Sequence, residues 1–389
     1  MRPEAGRAAH YSGRMSDALR SPLHDRHVAL GATLVPFAGW EMPVRYSGDI
    51  SEHTAVRTAA GLFDLSHMGE IAVRGDDAAA FLEHALVGRI SAVALGGAKY
   101  SMMCTPEGGV VDDLIVYRRD WDHFVVVANA ANKDVVLAEL EVRLAGFDAD
   151  VEDISAEIAL IAVQGPRAEG IVARMCARGA DDIVAMRYYS AVNVLLEGDI
   201  HAFVARTGYT GEDGFELFVN AADATAVWDL ALAAGEGDGI VPCGLSSRDT
   251  LRLEAGMPLY GQELSRDLTP FDAGLGRVVV FGTHAKPRGD FVGRDALLKV
   301  KAAGPERTLV GLVGDGRRAA RAGYAVLDAE GAEVGEVTSG APSPTLGRPI
   351  AMAYVPPALA EPGTVVGIDV RGRREDMTVV ALPFYSRAS

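Results

Sequence analysis

Cysteine is scarce in this chain: three residues in 389, Cys104, Cys176 and Cys243, lie far apart and form no C-x-x-C pair. That count excludes a disulfide scaffold, leaves no cysteine-based zinc site and points to a reducing compartment. Positive charge is short as well. Lysine and arginine total 37 against 53 acids, a net charge of −16, which excludes duplex nucleic acid or an anionic membrane surface as the partner. No apolar run approaches the ~18 residues of a membrane span, and the N-terminus carries no apolar secretion signal, so the reading is a cytoplasmic enzyme. Familiar signatures are missing too. There is no Walker A loop, no G-x-S-x-G elbow and no H-E-x-x-H, and Gly274-Leu275-Gly276-Arg277-Val278-Val279 lacks the third glycine of a dinucleotide loop. The nine histidines are scattered without ligand spacing, so no metal and no redox cofactor are assigned.

What is present is the balance of a globular protein, 49% hydrophobic and 23% charged, long enough for two or three domains. Residues 1–20 are expected to be a disordered N-terminal tail. Arg2, Arg7 and Arg14 suggest an organellar presequence, against which Pro3, Gly6 and Gly13 break any helix. Over residues 21–290 helical and strand patterns mix. Hairpins are expected at Val110–Tyr117 with Phe124–Asn129 and at Val192–Leu196 with His201–Arg206, and helices at Ile50–Ala60, Asp76–Val87, Lys133–Ala145, Asp223–Ala234 and Ser247–Ala255. Paired strands point to α+β rather than to a doubly wound parallel sheet. Over residues 305–389 short apolar runs alternate with Gly, Pro and Asp turns about every ten residues, the pattern of a small β-barrel or sandwich.

Four constellations carry chemistry. In Gly108-Gly109-Val110-Val111-Asp112-Asp113-Leu114-Ile115-Val116-Tyr117 two acids sit in an apolar strand, and because successive residues face opposite sides they cannot act as a simple dyad. An acid on an apolar face is a site residue or a paired structural group; the plainer reading has one Asp capping a turn and the other pairing with an arginine. Arg206–Leu217 places three glycines in a tight loop followed by Glu216 on a strand, or simply an edge acid on a hairpin. Pro242–Gly256 reads as a helix start capped by Ser246 and Asp249 in S-x-x-D spacing. There Arg248 opposes the helix dipole and invites an anion, while Arg252 and Glu254 are expected on the helix surface. Met68, in Phe63–Glu70, would by itself be a core residue.

Together with Gly39-Trp40-Glu41-Met42-Pro43, Glu52–Arg57, Phe63–Met68, Gly208–Glu212 and Leu251–Glu263, these segments resemble, in order from Ser21 to Arg387, the glycine cleavage T-protein family of aminomethyltransferases. The resemblance implies a three-lobed α+β body around a tetrahydrofolate pocket, with a C-terminal β-barrel. It implies transfer of the methylene of an aminomethyl group, carried on lipoylated H-protein, to tetrahydrofolate as co-substrate, with release of ammonia. It makes Asp112 the acid near nitrogen 10 of the folate. Glu216 and Arg248 would hold the pterin, Met68, Tyr100, Val127 and Asn129 would line the pocket, and Arg387 would close it. The alternative on this fold is a folate-dependent demethylase using a small soluble methyl donor. A folate-binding accessory protein of iron–sulfur maintenance lacks support, because Met257–Glu263 stands where that branch has its K-G-C-Y-x-G-Q-E motif. Arg317, Arg318 and Arg321 form the densest basic cluster, a candidate H-protein docking patch or a solvated loop.

Overall fold

The computed structural model describes residues 18–283, 286, 288–316 and 318–387. The expected tail therefore falls outside the described residues up to position 17, and Leu19–Arg20 form a short strand pairing in parallel with Trp40–Arg45.

Two large sheets, a small three-stranded sheet of Leu19–Arg20, Trp40–Arg45 and Thr33–Phe37, and a barrel make up the described residues. The first sheet is antiparallel, with strands in the spatial order Ala98–Cys104, Val110–Arg118, His123–Ala128, Gly69–Arg74 and Asp150–Asp153. Its β-branched alternation gives each strand two apolar faces. One face is covered by helices Ala78–Ala85 and Lys133–Arg143, whose Phe81, Leu82, Val136 and Leu140 pack on Ile71, Val73, Val116 and Val126.

The second sheet has seven strands in the order Cys176–Arg178, Ala191–Leu196, Ile200–Ala205, Gly214–Asn220, Ile158–Gln164, Ala60–Asp64 and Ile240–Pro242. Helices Ala168–Met175 and Ala224–Gly235 cover its outer face, with Trp228 fully buried. The remaining faces of the two sheets meet: Tyr117, Val125 and Val127 pack against Phe63, Leu160, Phe203 and Phe218 in one core. This junction positions the site.

The last segment closes into a six-stranded barrel, Thr308–Gly314 to Arg348–Val355, Glu333–Ser343, Ala325–Leu327, Val365–Asp369 and Arg374–Val380. Of the two architectures left open by the turn spacing, barrel closure is the one found, and it removes the free edges that such short strands would otherwise expose. The expected hairpins and five helices are all present, shifted by one or two residues at their ends.

Candidate functional site

Register places the polar groups. Tyr100 lies opposite Ile115, Ile115 opposite Val127 and Val127 opposite Glu70, so these four form one cross-strand row on the face that looks toward the second sheet. Asp113 and Tyr117 flank Ile115 on that face. On the facing sheet Phe63, Ala162, Glu216, Ala205 and Ala191 form the matching row. Tyr117 bridges the two, its hydroxyl donating to Glu216 Oε2 at 3.0 Å.

The two aspartates are treated differently. Asp112 is fully buried and points away from the junction. It accepts from the Asn129 backbone N–H at 3.0 Å, the Asn129 side-chain amide at 2.9 Å and the Asn132 amide at 2.9 Å, a satisfied structural acid. Asp113 is half-buried, and its carboxylate accepts from the Tyr100 hydroxyl at 2.9 Å and the Asn129 amide at 2.9 Å. Burial first, with the neighbouring Asp113 charge second, pushes Asp112 up to about 7; burial likewise pushes Asp113 up to about 6, against the lowering by Tyr100 and Asn129. The geometry puts Asp113 on the face toward the second sheet, where the sequence expectation had Asp112, and among the described residues neither pairs with an arginine.

Glu216 is held from Thr207 as well, whose hydroxyl donates to the same Oε2 at 2.5 Å. Arg248 projects from the first turn of helix Leu245–Glu254 with its guanidinium over the Tyr209 ring, 4.9 Å from the centroid. Burial lowers its pKa and Glu216 opposes that, yet among the described residues its guanidinium makes no ion pair or hydrogen bond. A half-buried cation without an anion carries a desolvation cost that the fold does not offset. Met68 sits half-buried beside the same core after the turn in which Ser66 N–H bonds Asp64 Oδ1 at 2.9 Å, and Val127 is buried there too. Arg387 lies at the rim, 3.3 Å from Asp213 and over the Tyr188 ring.

Several expectations change. The Ser246–Asp249 cap does not form: Gly244 is the N-cap, and Asp249 instead accepts from Arg252 Nε at 2.9 Å. Arg252 and Glu254, expected at the surface, are buried, because the barrel packs over that helix face. Arg252 donates to Glu263 at 2.9 Å and Ser339 at 2.7 Å, and Glu254 accepts from Ser343 at 2.5 Å and Thr345 at 2.7 Å. Of the basic cluster, Arg317 lies outside the described residues, Arg318 is 3.5 Å from Glu375, and Arg321 donates to the Gly340 carbonyl at 3.0 Å.

Residue-by-residue reading missed Tyr117, Thr207, Tyr188 and Tyr189. Tyr117 continues the alternation Asp113, Ile115, Tyr117 and could have been found. Tyr189 takes φ 62°, rare for a bulky residue, and stacks edge-on with the exposed Tyr188, 4.9 Å between centroids. No local sequence signal marks that conformation.

Comparison with known proteins agrees with this architecture. Residues 23–283 match the family model described as GCVT N-terminal domain, and residues 307–386 match the glycine cleavage T-protein C-terminal barrel domain. The chain is 58% identical to an aminomethyltransferase of Streptomyces coelicolor over 95% of its own length and 98% of that protein. It is 57% identical to one of Saccharopolyspora erythraea over 96% and 100%. A crystal structure of glycine cleavage system aminomethyltransferase T from Bartonella henselae superposes with a TM-score of 0.86 at 37% identity, covering 94% of this chain and 98% of that one.

Proposed function

The chain belongs to the glycine cleavage T-protein family and is an aminomethyltransferase, and from that premise we propose how its residues serve the reaction. The donor is an aminomethyl group on the lipoyl thiol of H-protein, and the acceptor is tetrahydrofolate. Carbon–sulfur and carbon–nitrogen bonds to the methylene break, two carbon–nitrogen bonds to the folate form, ammonia leaves and the lipoyl arm departs as a dithiol. No electrons are gained or lost overall.

The observation that carries this reading is Asp113: a half-buried carboxylate on the sheet face that looks toward the sheet carrying Glu216, oriented by Tyr100 and Asn129. A folate amine sheds a proton as its new bond to carbon forms, and a carboxylate with a pKa near 6 is ionised at neutral pH yet basic enough to take it. The same charge stabilises positive charge developing on the transferred carbon. Glu216, fixed by Tyr117 and Thr207, offers an acceptor to the adjacent N–H groups of the pterin edge, and Arg248 supplies the complementary donor. Met68 and Val127 give apolar walls. Asn129 holds both aspartates, so its role is to position Asp113, and the Tyr188–Tyr189 pair with Arg387 forms an aromatic and cationic rim suited to the rest of the folate. The cytoplasm is the assigned compartment, where a dithiol arm and three free cysteines stay reduced. No described helix is long and apolar enough to cross a membrane.

The test supplies purified protein and tetrahydrofolate with either aminomethyl-loaded H-protein or small methylated amines and sulfonium donors. Methylene-tetrahydrofolate and ammonia in equal amounts from loaded H-protein is the expected result. Methyl transfer from a small donor, with no rate gain from H-protein, would replace this reading by the demethylase.

A further inference from the structure

Glu70 is a buried carboxyl that the mechanism above does not use. Only 1% of the residue is exposed, and neither carboxylate oxygen has a hydrogen-bond partner among the described residues. Its neighbours are committed elsewhere. Ser155 meets Glu70 only at the backbone, its hydroxyl accepting from the Glu70 N–H at 2.9 Å and donating to Asp153 Oδ1 at 2.5 Å. Lys133, whose stem packs over Gly69, places its ammonium 2.8 Å from Asp153. Asp112 on the same sheet shows the contrast: a buried structural acid here is given three donors, and Glu70 is given none.

The orphan is not on the helix-covered face. It ends the row Tyr100, Ile115, Val127, Glu70 that confronts the sheet carrying Glu216, and the charge of Glu216 reaches it. We propose that Glu70 is a second pterin-facing carboxyl, a specificity-determining residue that hydrogen-bonds the nitrogen-rich edge of the bound folate beside Glu216. The inference rests on the folate reading of this site and deepens it.

Chemistry fits the placement. Burial, then the charge of Asp153, pushes the Glu70 carboxyl well above its ordinary range, with Lys133 opposing and Glu216 adding, a shift toward the protonated form. A protonated carboxyl offers one donor and one acceptor, whereas a carboxylate offers acceptors only. A pterin edge alternates ring nitrogens that accept with N–H groups that donate, so the two carboxyls together complement what either alone would leave unpaired. The ligand would supply the bonds the folded chain withholds.

The experiment compares Glu70→Leu and Glu70→Gln with the wild type in the full chain, by calorimetric titration with tetrahydrofolate and by thermal melting without ligand. Leu removes an unsatisfied buried carboxyl, so its melting temperature should equal or exceed that of the wild type, while tetrahydrofolate affinity falls about tenfold or more. Gln, neutral and able to donate and accept, should stay within about threefold of the wild-type affinity. A purely structural acid would give the reverse for Leu, a lower melting temperature or a failure to fold, and either result overturns the proposal, as does unchanged affinity in a folded Leu variant. Wild-type protein that does not bind tetrahydrofolate would sink the folate reading itself, a separate failure.

Discussion

Asp112 and Asp113 are one place apart in the chain and on opposite sides of a sheet, and that difference sets their chemistry. With folded pKa values above the unfolded 3.8, both favour the protonated folded state; their contribution to stability is fullest below about 4 and declines as pH rises toward 7. An asparagine at 112 has no such slope, though its amide cannot accept from all three donors. Asp112→Asn should therefore be less stable than wild type, with the deficit shrinking between pH 4 and pH 8. Urea unfolding at both pH values checks this, and a constant deficit would contradict the burial of that carboxyl. Glu216→Gln sets an amide donor against a ligand donor and should weaken tetrahydrofolate binding by about 1.5 to 3 kcal/mol. Calorimetry on the folded variant decides it; unchanged affinity removes Glu216 from the pocket. The sequence shows that the two aspartates face apart. It does not show which one looks at the site, because one face of this strand is buried by helices and the other by a second sheet, and both read as apolar.

Elements were legible where turns and alternation are strong. The Val110–Arg118 and His123–Ala128 hairpin is flanked by polar turn residues, and its β-branched run has no competing helical period. Helix Leu245–Glu254 was legible in extent but not in its faces, since the charges at Arg252 and Glu254 are buried by a barrel that only tertiary structure brings there. The Gly208 loop shows how an element is held for function. A Cβ at Gly208 would lie 2.0 Å from Gln164 Oε1, the side chain whose Nε2 donates to Thr207 O at 3.0 Å. Gly208→Ala must displace that glutamine or the loop, which costs about 1 to 3 kcal/mol as overpacking. The displacement moves Thr207 away from Glu216, so the variant should both melt earlier and bind tetrahydrofolate more weakly. Wild-type affinity in a destabilised variant would uncouple the loop from the pocket.

At the scale of the whole molecule the barrel is joined to the two-sheet body through buried charge. Glu254 takes bonds from His53 at 3.1 Å, Arg57 at 2.8 Å, and Ser343 and Thr345 of the barrel at 2.5 and 2.7 Å. Burial alone would raise its pKa, but His53 and the barrel hydroxyls outweigh it and hold the carboxyl at about 2. Stability from a depressed carboxyl is present above its unfolded value of 4.5 and lost as pH falls toward 2. Glu254→Gln should accordingly cost about 3 to 5 kcal/mol at pH 7 and progressively less toward pH 3, read by denaturant melts. A pH-independent cost would mean the ion pairs contribute nothing. The same assembly brings two sheets face to face and sets Asp113 on the facing surface, and the proposed chemistry stands on that acid. The direct measurement is the single-turnover rate of methylene transfer from loaded H-protein with saturating tetrahydrofolate, for Asp113→Asn beside Asp112→Asn. Asp113→Asn should slow transfer about a hundredfold or more while tetrahydrofolate affinity stays within about threefold, and the wild-type acidic limb near pH 6 should vanish with it. A wild-type rate from Asp113→Asn, with transfer abolished by Asp112→Asn, would contradict the account.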